Sequence, residues 1–125
     1  LIEKAISFGN DSGGGDGSAD AAPSNVSGAV ALGKQMAAAR GWTGGEWDAL
    51  YQLWQRESGW RVNADNPISD AYGIPQALPG TKMSEVADDW ATNPSTQITW
   101  GLNYISGRYG TPCSAWAHSE SVGWY

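Results

Sequence analysis

The chain has 125 residues, 41% of them hydrophobic, which suits one domain around a single core. Its formal net charge is -6 and its seven Lys and Arg are scattered, so it lacks the clustered cations that nucleic acid or an anionic membrane surface requires. One cysteine (Cys113) and one histidine (His118) exclude an intrachain disulfide and a tight Cys/His metal cluster, no EF-hand-like loop or apolar run of membrane-spanning length is present, and no cofactor is implied.

Residues 1–8, LIEKAISF, read as the end of a preceding helix. The start at Leu1, with no signal peptide, is expected of a piece of a longer protein. Residues 9–25, GNDSGGGDGSADAAPSN, carry too little apolar surface to offset the entropy lost on ordering. Residues 1–25 are therefore predicted to be a flexible linker, and residues 26–125 the working domain.

Val26 to Arg40 predicts an Ala-rich helix whose small-residue face is Val26, Val30, Gly33 and Ala37 beside Met36, with a stop at Gly41. Thr43-Gly44-Gly45-Glu46 has the form of a capping box and opens the next helix. In that helix Trp47, Leu50, Tyr51, Trp54 and Ser58 fall on one stripe, Glu57 sits on its edge, and Gly59 ends it. A carboxyl group flanked by Trp54 and Trp60 is expected to favour its protonated form, because desolvation penalises the charge. A protonated acid near neutral pH is what general-acid cleavage of a glycosidic bond requires. The plain alternative is a helix-end glutamate facing water. The eight Trp residues likewise have two uses, filling a small core and stacking on sugar rings.

Residues 60–82 are rich in Asn, Asp, Pro and Gly and predict a long loop with one short helical turn around Ile74 to Leu78. The loop follows Glu57 directly, so it can fold back over the same site. Its polar candidates are Asp65, Asp70, Tyr72 and Gln76, the two aspartates having turn capping as their structural alternative. Met83 to Trp90 predicts a short helix capped by Ser84. Asn93-Pro94 starts another, on which Ile98, Leu102, Ile105 and Tyr109 repeat at helical spacing, Tyr104 lies off the stripe toward the site, and Gly110 marks the end. Thr111-Pro112 opens the last helix, which carries Trp116 and His118 and breaks near Gly123. No alternating strand pattern exceeds a few residues, so the fold class is mainly α, about five or six short helices around one core.

Glu57-Ser58-Gly59-Trp60 followed by Ala71-Tyr72-Gly73-Ile74-Pro75-Gln76 resembles a lysozyme-like lytic transglycosylase. That family pairs Glu-Ser at a helix end with a loop and a Gly-Leu-Met-Gln-like segment, here GIPQ. AYGIPQALPG, WGLNYI, RYGTPC and the terminal WAHS and GWY are similar to the actinobacterial branch. The linker and VALGKQMAAARGW resemble such domains inside tape-measure proteins of phage tails. The resemblance runs from about residue 26 to the C-terminus.

It implies a lysozyme-like domain with its loop over an active-site cleft, and peptidoglycan glycan strands as substrate. Glu57 would protonate the glycosidic oxygen between N-acetylmuramic acid and N-acetylglucosamine. It would then act as base on the muramic acid C6 hydroxyl, which attacks C1 and leaves a 1,6-anhydro end. Ser58 would bind substrate or orient Glu57. Gln76 would floor the cleft, and Trp60, Tyr72 and Tyr104 would flank it. Trp116 and His118 stand where the family's late Tyr-Asn pair is absent, Trp116 supplying an aromatic face and His118 either bonding a sugar or closing the helix. Pro75 also departs from the pattern by removing a backbone donor. A muramidase on the same fold would need Asp65 or Asp70 as base, about 6.5–9.5 Å from Glu57 for an inverting hydrolase. A non-catalytic wall-binding module would use the Trp residues alone. The expected setting is extracellular, at the cell wall, as part of a phage tail or a secreted bacterial protein, with the isolated domain monomeric.

Overall fold

The structure, a computed structural model, describes residues 25–125. The predicted linker lies outside the described residues except for its last residue, Asn25. That residue is the N-cap of α1 (Val26–Ala39), its side chain accepting from the Gly28 amide at 2.6 Å. Of the expected face of α1, Gly33 and Ala37 are buried, Val30 and Met36 pack partly buried against the core, and Val26 is exposed; the fully buried residues of the helix are Ala29, Gly33 and Ala37. The reason is Trp60. A Cβ on Gly33 would lie 2.5 Å from the Trp60 ring, so the smallest residues of α1 turn toward that indole. Gly33→Ala is therefore expected to cost about 1–3 kcal/mol through overpacking, outweighing the roughly 1 kcal/mol gained in helix propensity. A urea titration checks this, and an unchanged or raised midpoint would contradict it.

α2 (Gly45–Ser58) starts without the predicted capping box. Gly44 is the N-cap at φ +58 and supplies no side chain, which moves Glu46 out of reciprocal register with Thr43. The Glu46 carboxylate instead accepts from the Cys113 amide at 2.8 Å, joining the start of α2 to the start of the last helix. The buried face of α2 is Ala49, Leu50, Leu53, Trp54, Glu57 and Ser58. It is rotated from the predicted stripe: Trp47 and Tyr51 fall at its margin, where they pack on the Trp60 ring at centroid distances of 5.7 and 6.2 Å, Tyr51 stacked on it.

Gly80–Glu85 forms a short 3-10 helix where an α-helix over 83–90 was expected. Gly80 passes close to Tyr72 and Trp90, and Met83 plugs the core. Residues 86–92 then turn, because Asp89 already serves the next helix. Its carboxylate accepts from Thr96 Oγ1 at 2.6 Å and from Asn93 Nδ2 at 2.8 Å, and these two bonds hold it below its ordinary pKa.

α3 (Pro94–Arg108) and α4 (Pro112–Val122) begin as their sequences dictate. Asn93 and Thr111 cap them by accepting from the Ser95 and Ser114 amides, with proline at the first helical position. α3 ends at Arg108 with Tyr109 as C-cap, and Gly110 follows in a left-handed conformation at φ +89, as the sequence led one to expect. α4 packs on α2, and α1 packs on α3. Leu50, Leu53, Trp54, Ile74, Ile98, Leu102 and Ile105 fill the space between. Two isolated bridges, Asp65 with Tyr72 and Tyr72 with Ala77, are the β-type pairing seen among the described residues. The domain is thus mainly helical, and no helix among the described residues is long and apolar enough to cross a membrane.

Candidate active site

Glu57 lies in the last turn of α2 and is only 5% exposed. It belongs to the inner face of the helix, one turn beyond Leu53 and Trp54, rather than to an edge. The residues on either side of it are committed elsewhere. Arg56 reaches to α4, donating to Ser119 Oγ at 2.9 Å and pairing with Glu120 at 2.7 Å, with its guanidinium 4.4 Å from the centre of the Trp116 ring. That ion pair is exposed enough to contribute no more than about 1 kcal/mol, so its role is to register α4 against α2. Ser58 points the other way. Its hydroxyl donates to the Ile74 carbonyl at 2.7 Å and accepts from the Trp60 amide at 3.1 Å.

Ser58 therefore ties the end of α2 to the segment Gly73–Gln76, which is a tight non-helical turn closed by the Tyr72–Ala77 bridge. The expected helical turn over 74–78 does not form. Pro75 has no N–H to extend it, Gly73 sits at φ +82, and Gln76 is left-handed at φ +57. Gly73 is required there twice over, since a Cβ would also meet the Gln97 amide at 2.7 Å. A left-handed Gln costs on the order of 1 kcal/mol or more and persists only where its surroundings fix it.

Those surroundings account for almost every polar backbone group of the turn. The Gly73 amide donates to the Ala64 carbonyl at 2.8 Å. The Ile74 amide donates to Gln97 Oε1 at 2.8 Å, and the Ile74 carbonyl accepts from Ser58. The Pro75 carbonyl accepts from the Tyr125 phenol at 2.8 Å, and the Gly73 carbonyl accepts from the Gln76 amide at 3.0 Å. Gln97 is completely buried, and its Nε2 also donates to the carbonyls of Val62 and Trp90. Gln97 and Tyr125 are the site residues that the sequence reading passed over. The available signal for Gln97 was its register: after Asn93-Pro94 it falls beside Ile98, Gly101 and Ile105, a polar residue on an apolar face.

The other candidates separate into groups. Gln76 is 3% exposed and spends its side-chain nitrogen on the Ala64 and Gly73 carbonyls, so this amide group braces the turn. Trp60 is wholly buried, with its Nε1 donating to the Tyr51 carbonyl, which corrects its expected place as a substrate-flanking face. Two successive left-handed residues, Gly59 and Trp60, fold the indole back under α2. Tyr72 is half-buried, donates to the Ala91 carbonyl and packs edge-on to Trp90. Burial first, and then the charge of Asp65, push its phenol up. Asp65 and Asp70 are exposed. Tyr104 stacks on Trp100 and donates to the Tyr125 carbonyl at 3.0 Å. Trp116 lies under Arg56, and His118 packs between Tyr109 and Trp124 at the end of α4.

No protein-family model, curated protein or solved structure matches the chain. At the buried end of α2, Ser58 follows Glu57 and bonds both the Ile74 carbonyl of the turn and the Trp60 amide, Gln76 braces that turn, and Tyr104 reaches it through Tyr125. Asp65 pairs with Tyr72 beside the turn but is exposed, as is Asp70, and Trp116 lies on α4 under Arg56. Among the described residues Glu57 is the one buried acid, and no group of three His, Cys, Asp or Glu side chains comes together to hold a metal ion. A single carboxyl in such a place can give a proton and take one back.

Proposed function

We propose that residues 26–125 form a lysozyme-like lytic transglycosylase that cleaves the β-1,4 bond between N-acetylmuramic acid and N-acetylglucosamine in peptidoglycan. The observation that carries this is the burial of Glu57, alone among the acids of the described residues, beside the Ser58 that anchors the Gly73–Gln76 turn. The resemblance of ESGW and AYGIPQ to the family's motifs supports it from the sequence. Glu57 protonates the glycosidic oxygen as the bond to C1 breaks. The resulting carboxylate then takes the proton of the muramic acid C6 hydroxyl as that oxygen bonds to C1. Proton and electron pairs balance without water, and the products are a free N-acetylglucosamine 4-hydroxyl and a 1,6-anhydro end.

The muramidase alternative needs a second carboxylate to activate water. Asp65 and Asp70 are both exposed, unlike Glu57, and the intramolecular attack needs neither. A purely glycan-binding module is disfavoured by the burial of Trp60, which removes one aromatic platform from solvent. The proposed setting is the bacterial cell wall, reached from a phage tail or by secretion.

Mass spectrometry of the soluble fragments released from purified peptidoglycan tests the reaction. Fragments ending in 1,6-anhydro-muramic acid are expected. Ordinary reducing ends would replace the transglycosylase with a muramidase, and wall binding without release would leave an anchor module.

A further inference from the structure

The Glu57 face of α2 meets the Gly73–Gln76 turn at two points, and only one of them is Ser58. At the other, one phenol bridges two elements. Trp54 Nε1 donates to the Tyr125 hydroxyl at 2.8 Å, and that hydroxyl donates to the Pro75 carbonyl at 2.8 Å. Trp54 is one turn from Glu57 on the same helix face, and Pro75 immediately precedes the left-handed Gln76. The phenol is completely buried, so it touches no substrate. Behind it, α3 presses on both partners: a Cβ on Gly101 would lie 2.4 Å from the Trp54 ring and 3.1 Å from Pro75 Cβ. The backbone of Tyr125 is itself held, its carbonyl accepting from Tyr104.

From this geometry we infer that Tyr125 is a positioning residue for the proposed reaction, its hydroxyl setting the separation between the Glu57 segment of α2 and the Gly73–Gln76 turn. The inference rests on the transglycosylase reading and goes beyond it by assigning a role to a residue outside the matched Glu-Ser and GIPQ motifs. Three features suit Tyr125 to that role. A phenol donates and accepts at once, so one oxygen fixes both distances. Pro75 has no amide hydrogen, so its carbonyl is the one backbone handle through which this residue of the turn is held. Burial also raises the Tyr125 phenol well above its ordinary pKa, so it remains a donor at any pH at which the domain works.

Tyr125→Phe keeps the ring and deletes both hydrogen bonds. With soluble glycan strands as substrate, its kcat is expected to fall about 10- to 100-fold with KM within a factor of about two, because a small misplacement affects the transition state more than ground-state binding. Amide hydrogen exchange, measured on the same protein, is expected to accelerate at Ile74, Gln76 and Ala77 while Leu53 and Leu102 keep wild-type protection. Unchanged kcat together with unchanged exchange overturns the inference. Faster exchange throughout α2 and α3, with kcat and KM both impaired, also overturns it, since Tyr125 would then act through global stability alone. If wild-type protein releases no fragments, the reaction itself fails, and local exchange in the variant alone decides whether Tyr125 holds the turn.

Discussion

Replacing Glu57 by Gln is expected to stop the release of anhydro-ended fragments, with a loss of about 10²–10⁴-fold or more in rate, the range for removing a general acid–base group. The substitution is nearly isosteric. It swaps a buried ionisable group for a neutral one, so thermal unfolding should stay close to wild type or shift upward. Those two results together separate chemistry from folding. Asp65→Asn and Asp70→Asn are the matched controls, because both side chains are exposed and neither is needed when the sugar's own C6 hydroxyl is the nucleophile. Activity retained in Glu57→Gln within a factor of about ten would remove the proposed mechanism. Activity lost in either aspartate variant, with the fold intact, would point to hydrolysis and a second carboxylate.

The largest effect on stability is expected at Gln97. Replacing it by Leu strands the buried Ile74 amide and Val62 carbonyl, and the part-buried Trp90 carbonyl. Each orphaned group costs about 1–3 kcal/mol, so a net loss of about 3 kcal/mol or more should remain after the gain from burying extra apolar surface. For a domain with a typical stability of about 5–15 kcal/mol this is a large fraction. Urea unfolding measures it. A loss of under about 1 kcal/mol would mean that the stranded groups find other partners, and that Gln97 does not fix the turn.

The helix starts were legible because their chemistry is local. Asn93-Pro94 and Thr111-Pro112 place a capping side chain two or three residues from the amides it serves, and Gly59 and Gly123 end their helices in left-handed conformations. Glu57 was legible as a candidate because helical spacing ties it to Trp54 and Ser58. What escaped were residues whose partners are distant in the chain. Gln97 meets Val62 across 35 positions and Tyr125 meets Trp54 across 71, and no periodicity within α3 or α4 encodes either meeting. Trp60 was misplaced for the same reason: its ring position depends on Gly33 in α1, and its backbone on an uncommon left-handed step. The capping box at Thr43 had the correct residue types, but the positive φ of Gly44 took the chain out of the geometry they need.

The wedge formed by Trp54, Pro75, Gly101 and Tyr125 has an evolutionary consequence. Gly101 has no room for a side chain until the ring at 54 shrinks or shifts, and a smaller ring at 54 abandons the phenol at 125. A different residue at 125 in turn leaves the carbonyl at 75 without its donor. Substitutions at these four positions are thus strongly epistatic, each tolerable only after another has prepared the space. In divergent descendants of this chain the four should change together or hardly at all, whereas the exposed Ile68 can drift alone.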